Sequence, residues 1–570
     1  MTEVQDPGGN ILHTYEYNGH GQILREVDGE GKEVLYTYND LGWKIREQIK
    51  VQETDPALYR VIAYTYDSQG NKVEEAYGQQ EVERDGEPDG WHRIHFSYDK
   101  NNHLNVVKDD FGAKMRYDYD CLGNVTLEER AIADGVHSVI HYAYNKNGWL
   151  VQRTEEIQGN GPVQAAVTRY AYDANGNLTK ITTPKGSEIH RSYDADDRLT
   201  EERVLDRKNG IDRRVQYAYD AAGNVLKQAI LGTDGECLES STRYDLKDRA
   251  THRTNPAGGV TRYLYDRNDR LRKEISPYGY EPESDDGAGV SYTYDSRGNR
   301  IRTTNALGEV VQEFSYNLRN QPVIQKDTFG NRTELSYELD GKIKDVRRSG
   351  NGNRNHQRTL QQYEYNARRQ ITGVVDGNQN PISYDVDSWG RITGIGFADG
   401  VKEGYEYTPA GQVSRTIDGN GNAVQYRYNS LGKISERIDQ LGFTETFRYD
   451  EEGNLSLHID RDGRQLQRAC NVFGQPVYEK ASDAEGKHTN ISTWHYDSLG
   501  RVTRAVCDGK SYEYIYDAYG NLKEKRSNGK RLVSYTHDRA GQITEIRDPA
   551  GVCTRYEYDI LGLSLIHISE

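Results

Sequence analysis

The feature that most constrains this chain is a short aromatic repeat: aromatic, any residue, aromatic, then Asp or Asn. It recurs as Tyr36-Thr37-Tyr38-Asn39, Tyr64-Thr65-Tyr66-Asp67, Tyr170-Ala171-Tyr172-Asp173, Tyr217-Ala218-Tyr219-Asp220, Tyr292-Thr293-Tyr294-Asp295, Tyr426-Arg427-Tyr428-Asn429 and Tyr556-Glu557-Tyr558-Asp559. There are 24 copies, some degenerate, and 12 of the 23 intervals between them are 21 residues, the others running from 20 to 32. A period of this length marks a repeat architecture in which each unit packs on its neighbours.

A full unit is uninterrupted at residues 418–438, which read DGNG, NAVQYRY, NSLG, KISERI. Tyr426 and Tyr428 are two apart and share one face of a strand. The Asp or Asn after the second Tyr can bond its own backbone two residues on, and the Gly three further takes a positive φ without steric cost. Gly70, Gly176, Gly223, Gly298, Gly421 and Gly432 hold turn positions of this kind. Each unit is therefore two strands and two turns, an antiparallel meander.

Composition supports this reading. With 35% hydrophobic residues and a mean hydropathy of -0.92, the chain is poor in conventional core. Its 44 Tyr against 8 Phe, and 57 Gly against 13 Pro, describe a Tyr-built, turn-rich protein and not a disordered one. Nearly fifty strands at ~4.8 Å give a sheet ~230 Å wide and ~20 Å tall, which strand twist must coil. The expected fold is all-β: a β-hairpin meander wound into a single-layer spiral or hollow shell, with cross-strand Tyr ring pairs as its ladders.

The pattern resembles the YD repeats of bacterial Rhs proteins, toxin-complex shell subunits and teneurins, over residues 6 to about 562. The resemblance implies a hollow β-shell that, in bacterial members, encloses a variable C-terminal toxin, kept unfolded or sequestered until delivery to a competitor or host. It implies as partners the chain's own C-terminal effector and secretion-system or cell-surface components, and a secreted or delivered location. In many relatives a D-P-x-G-L boundary frees the cargo by aspartic self-cleavage. Here the shell is read as residues 1–562, truncated at both ends, and the segment Leu563–Glu570, which follows neither strand nor turn pattern, is read as non-native tail. A cargo of about 130 residues is roughly 36 Å across, so a wrap of ~140 Å circumference would let ~230 Å of sheet complete fewer than two turns, an open band.

Other classes find little support. No run approaches the ~18 apolar residues of a membrane helix, and the polar start is no signal peptide. A formal charge of -16 argues against nucleic acid. Cys121, Cys237, Cys470, Cys507 and Cys553 are scattered, without C-x-x-C. Asp548-Pro549-Ala550-Gly551 is read as an ordinary turn in phase with Asp327, Asp439 and Asp460. The loops from Asp173 and Asp418 lack the Gly and Glu of a calcium loop, with Leu178, Pro184, Ala423 and Asn429 at those places. His92, His95, His137 and His141 are expected to face solvent. Gly509-Lys510-Ser511 lacks the upstream glycine of a phosphate loop. No catalytic, cofactor or metal residue is assigned, and the chain is expected not to be an enzyme. The alternative function is an extracellular or wall-associated adhesin that recognises carbohydrate or a receptor through its Tyr faces.

Overall fold

The computed structural model describes residues 2–6, 8–52, 57–81, 89–159, 161–232, 235–350, 357–366 and 368–569. The described chain is strand and turn. Forty-nine strands form one sheet, in which each pairs antiparallel with the next in sequence, from Thr2–Gln5 to Ser564–Ser569. A separate two-stranded ribbon, Tyr280–Glu281 with Asp286–Gly287, projects from one connection.

The turn after each Y-x-Y explains why the chain reverses there. At Asp67 one carboxylate oxygen accepts the N–H groups of Gln69 (2.8 Å) and Asn71 (2.9 Å), and the other accepts the Asn71 amide (2.9 Å). Gly70 closes the turn at φ 90°. Asp173 with Gly176, Asp220 with Gly223, Asp295 with Gly298 and Asn429 with Gly432 repeat this geometry, each glycine lying between φ 70° and 95°. Six units place Asn102, Asp197, Asp248, Asp269, Asn320 or Arg369 at the positive-φ position instead. Five of these six are Asn or Asp, the residues that enter this region most readily after glycine.

The tyrosines act differently from the expected ladder. Y-x-Y strands alternate with plain strands, so Tyr rings of successive units stand about two strand spacings, ~9.6 Å, apart and cannot stack. Tyr426 lies opposite Arg437, not opposite another ring. The contacts between two Tyr rings among the described residues are Tyr15–Tyr17 and Tyr278–Tyr558. Instead the second Tyr crosses a single spacing: the Tyr428 hydroxyl donates to the Val413 carbonyl at 2.6 Å, the first residue of the preceding strand Val413–Ile417. Tyr38, Tyr66, Tyr172, Tyr219, Tyr294 and Tyr558 do the same to Ile23, Lys44, Leu150, Leu199, Leu271 and Ile543. The bond occurs 19 times among the described residues, and so belongs to the unit. A register shift at the second Tyr, as between Arg427 and Tyr428, adds local twist at the same place.

The first Tyr has no such fixed partner. Tyr36 donates to Glu26 at 3.3 Å, the Tyr64 ring lies under the ammonium groups of Lys44 and Lys72, and the Tyr292 ring lies under Arg300. Tyr170 and Tyr217 stay half-buried while Ala171 and Ala218, the residues that follow them, are exposed.

The sheet winds on itself. Asp28 meets Arg319, Lys185 meets Asp450, Asp206 meets the backbone of Val472 and Glu236 meets Arg501. Sequence separations at these contacts vary, but 23 strands of the main sheet intervene each time. Strand number, not residue number, therefore sets one turn, and insertions are absorbed in the loops. Twenty-three spacings give a circumference of ~110 Å and a width of ~35 Å between strand axes. The 49 strands thus complete about two turns. That is tighter than the wrap expected from cargo size, because contact between turns and not an enclosed body sets the curvature.

The wall is one layer thick. The chain exposes 31942 Å², whereas a compact protein of 65.0 kDa would expose roughly 21,000 Å². The segment after Gly562 also joins the sheet: Ser564–Ser569 pairs with Cys553–Tyr558 through Tyr556 opposite His567, so its backbone does follow the strand pattern.

Removing the Tyr428 hydroxyl with Phe should cost about 1 kcal/mol and speed amide exchange in Val413–Ile417. Replacing both Tyr426 and Tyr428 by Ser should expose the local sheet to protease, and unchanged cleavage would refute the strap.

Candidate functional site: the seam between turns

The two edges of the sheet are chemically unlike. One carries the turns that follow Y-x-Y; the other carries the turns that follow the plain strands. An odd number of intervening strands joins unlike edges, so plain turns of the first winding meet Y-x-Y turns of the second.

The first edge is rigidly stapled. Besides the Tyr strap, the residue after the positive-φ turn position caps the second Tyr of the next unit: Trp43 on Tyr66, Trp149 on Tyr172, Arg198 on Tyr219, Arg270 on Tyr294, Arg391 on Tyr407 and Arg501 on Tyr516. Where Gln follows the glycine it donates to the next turn, as Gln22 does to the Gly42 carbonyl and Gln475 to the Gly500 carbonyl, both at 2.8 Å. Sequence reasoning missed this role. Its signal was the alternation of Asn, Gln, Arg, Lys, Trp and His after the turn glycine, residues that share reach and a donor or a flat face.

At the seam the polar groups find partners across the turn. The Arg319 guanidinium forks onto the Asp28 carboxylate at 2.6 and 2.9 Å, and Leu318 N–H donates to Glu30 at 2.7 Å. Ser430, 1% exposed, donates to the Glu156 carbonyl at 2.9 Å. Lys185 pairs with Asp450 at 2.5 Å, Val472 N–H donates to Asp206 at 3.0 Å, and Tyr278 donates to Asp538 at 2.6 Å. Glycine permits the closest approach: a Cβ on Gly259 would stand 2.3 Å from the Arg539 carbonyl oxygen. The buried apolar residues, among them Val51, Val61, Ile132, Ile157, Ile211 and Ile275, all come from the first winding.

Burial pushes the Asp28 carboxyl up, but the Arg319 guanidinium and the N–H groups of Lys32 and Glu30 outweigh it and hold the group below the ordinary carboxylate range. Burial and the Asp538 carboxylate both push the Tyr278 phenol up, so it stays a donor.

The remaining candidates occupy ordinary places. Asp548 closes a repeat turn, accepting Val552 N–H at 2.8 Å, with Gly551 at φ 95°. The oxygens of Asp173 and Asp418 accept hydrogen bonds from their own loops. Among the described residues, no cluster of three His, Cys, Asp or Glu could hold a metal ion. Asp508-Gly509 is a two-residue hairpin turn, both residues at positive φ, that sets Cys507 opposite Lys510. All five cysteines are free. His95, His137 and His141 stand 46%, 41% and 51% exposed beside Glu74, Glu129 and Glu156. His92 departs from the expectation: it is 2% exposed, because Trp389 of the second winding covers it.

Arg319→Ala should destabilise the seam by about 1–3 kcal/mol, since it strands a buried carboxylate. A carboxyl held below its unfolded value stabilises the fold above that value and loses this contribution as pH falls through its folded pKa. The melting difference between wild type and Arg319→Ala should therefore be full at neutral pH and shrink as pH falls below the ordinary carboxylate range and through the depressed pKa of Asp28. Gly259→Ala should loosen exchange protection around Arg539 while leaving distant units unchanged.

Comparisons with known proteins agree with this architecture. Residues 86–309 match the teneurin YD-shell family and residues 537–566 the RHS repeat. The tRNA3(Ser)-specific nuclease WapA of Bacillus spizizenii is 29% identical over 223 residues, covering 36% of this chain and 9% of that protein. The Dickeya dadantii protein named "Probable deoxyribonuclease RhsB" is 29% identical over 209 residues, covering 36% and 13%. Mouse (Mus musculus) teneurin-1 is 23% identical over 381 residues, covering 59% and 13%. The matched region thus spans about a tenth of these relatives' length. Among solved structures, the Photorhabdus luminescens Tc holotoxin pore aligns with TM-score 0.59 at 12% identity, over 98% of this chain and 35% of that one. The TcdB2-TccC3 crystal structure aligns with TM-score 0.54 at 12% identity, over 100% and 40%. Residues 86–309 thus match the teneurin YD-shell and residues 537–566 the RHS repeat, and the turn and register found in those stretches recur through the rest of the wound sheet, whose fold is that of the Tc toxin shells.

Proposed function

We propose that the wound sheet is the wall of a bacterial Rhs-type shell, which sequesters a C-terminal effector domain until delivery to a competitor or host cell. The observation that carries this reading is the single-layer spiral of about two turns, with far more surface than a compact chain of its mass. Such a wall has no use for a core and a clear use for an inside.

The dimensions favour an unfolded cargo. A wall ~35 Å between strand axes loses about half of a ~10 Å sheet thickness on each side, which leaves ~25 Å, less than the roughly 36 Å of a folded 130-residue domain. An extended chain passes easily. In this reading the segment is a scaffold and not an enzyme, residues 1–562 are shell, the effector is its partner, and the assembled protein works outside the producing cell. Nuclease names among the relatives support an effector-bearing architecture.

The test is the source transcript read through the codon for Gly562 and several hundred codons beyond. The expected result is further YD units, a D-P-x-G-L boundary and a short unrelated domain that is toxic when expressed alone and harmless when expressed with its shell. A wall anchor, a membrane helix or a stop directly after the repeats would overturn the reading in favour of an adhesin.

A further inference from the structure

Where the seam passes the strands Leu58–Tyr66 and Lys72–Glu81 of the first winding, the second winding stands off and leaves a cavity of about 970 Å³. Its size is that of a small-molecule site. Its charge runs against that of the chain.

Arg60 from the first winding and Lys342, Arg368 and Arg369 from the second line it, in a protein of net charge -16. Arg369 is committed: it forks onto Asp340 at 2.7 Å through both nitrogens. It also sits at φ 64° where most units have glycine, a backbone state that costs an arginine more than it costs Asn or Asp. Arg60 is less satisfied, its Nε buried without a hydrogen-bond partner. Lys342 donates to the Arg369 carbonyl, and burial with the nearby Arg369 and Arg60 charges draws its pKa down against the pull of Asp340. These cations repel one another, and Asp376, the carboxylate in the lining, already accepts backbone N–H groups from Asn378 and Asn380.

His92 points the same way. It is 2% exposed and lines the cavity, yet neither ring nitrogen has a hydrogen-bond partner, and its nearest carboxylate, Asp110, stands 3.9 Å off. Burying an imidazole with both polar atoms unfilled is costly unless something fills them. Around it the walls are flat: Trp389 at 4.0 Å and Tyr77 at 6.3 Å between ring centroids, with Tyr363 and Tyr384 further along the lining.

We propose that this cavity binds an anionic aromatic small molecule, its ring against Tyr77, Tyr363 and Trp389 and its acidic group toward Arg60 and Lys342. Because the walls come from both windings, the ligand clamps one turn to the next. This role is independent of any cargo.

Titration calorimetry on the intact chain tests it, with adenosine monophosphate and 2-naphthalenesulfonate as probes and adenosine and inorganic phosphate as the separate halves. The aromatic anions should bind saturably at one site and raise the melting temperature, and each half should bind at least about tenfold more weakly. Arg60→Ser and Trp389→Ala, both checked for folding by circular dichroism, should each weaken binding about tenfold, whereas the distant exposed Arg461→Ser should not. Failure of both anions to saturate below about 5 mM, or wild-type affinity in Arg60→Ser, would overturn the proposal.

Discussion

The hydrogen bond from the second tyrosine of each Y-x-Y to the first carbonyl of the preceding strand is the interaction on which the rest of the molecule depends. A sheet one layer thick has no core to hold neighbouring strands in register. The Tyr428 hydroxyl fixes where Ala423–Tyr428 ends relative to where Val413–Ile417 begins. Each bond contributes only about 1 kcal/mol net, but it recurs through most of the 24 units and neighbours couple in series. Phe in the same place would supply the ring without the registry, which is a physical reason for 44 Tyr against 8 Phe.

From that strap follows the asymmetry of the two edges. Both edges carry Asx turns, as at Asp67 and Asp418, but only the Y-x-Y edge is braced as well by the tyrosine strap and by the residue after the positive-φ turn position. The interval of 23 strands brings the braced edge of one winding down on the plain edge of the other. Burial follows the same division. The buried apolar residues belong to the first winding, whereas buried polar groups come from both sides of the seam, Asp109 and Asp206 in plain turns of the first and Ser430, Asn471 and Ser498 in Y-x-Y turns of the second. A seam built from unlike partners of this kind has one polarity, and the spiral can advance in one direction only.

How much of this was legible follows from what is local. Period, strand alternation, Asx turns and glycine positions are decided within some ten residues, and Asp67 or Gly432 shows its role in its own neighbours. The Tyr strap was half legible. The repeat showed that tyrosine mattered, but ring stacking was the wrong mechanism, because alternation with plain strands doubles the spacing between rings. The seam was not legible at all. Arg319 finds Asp28 across 291 residues, and nothing near either residue distinguishes it from the many surface charges around it. His92 is hidden for the same reason: its burial depends on a Trp389 that reaches it only after a full turn of sheet.

The two scales of interaction also separate two kinds of failure. Loss of a strap or a turn glycine acts on adjacent units and leaves the winding number alone, since neighbours carry the register. Loss at the seam leaves every strand paired and releases only the contact between turns. The covalent chain and the ladder hydrogen bonds both run along the spiral, so the seam is the one direction in which this wall can part without unfolding. The Arg319–Asp28 ion pair loses its contribution as pH falls through the depressed pKa of Asp28, whereas the Tyr straps are neutral donors that acid leaves intact.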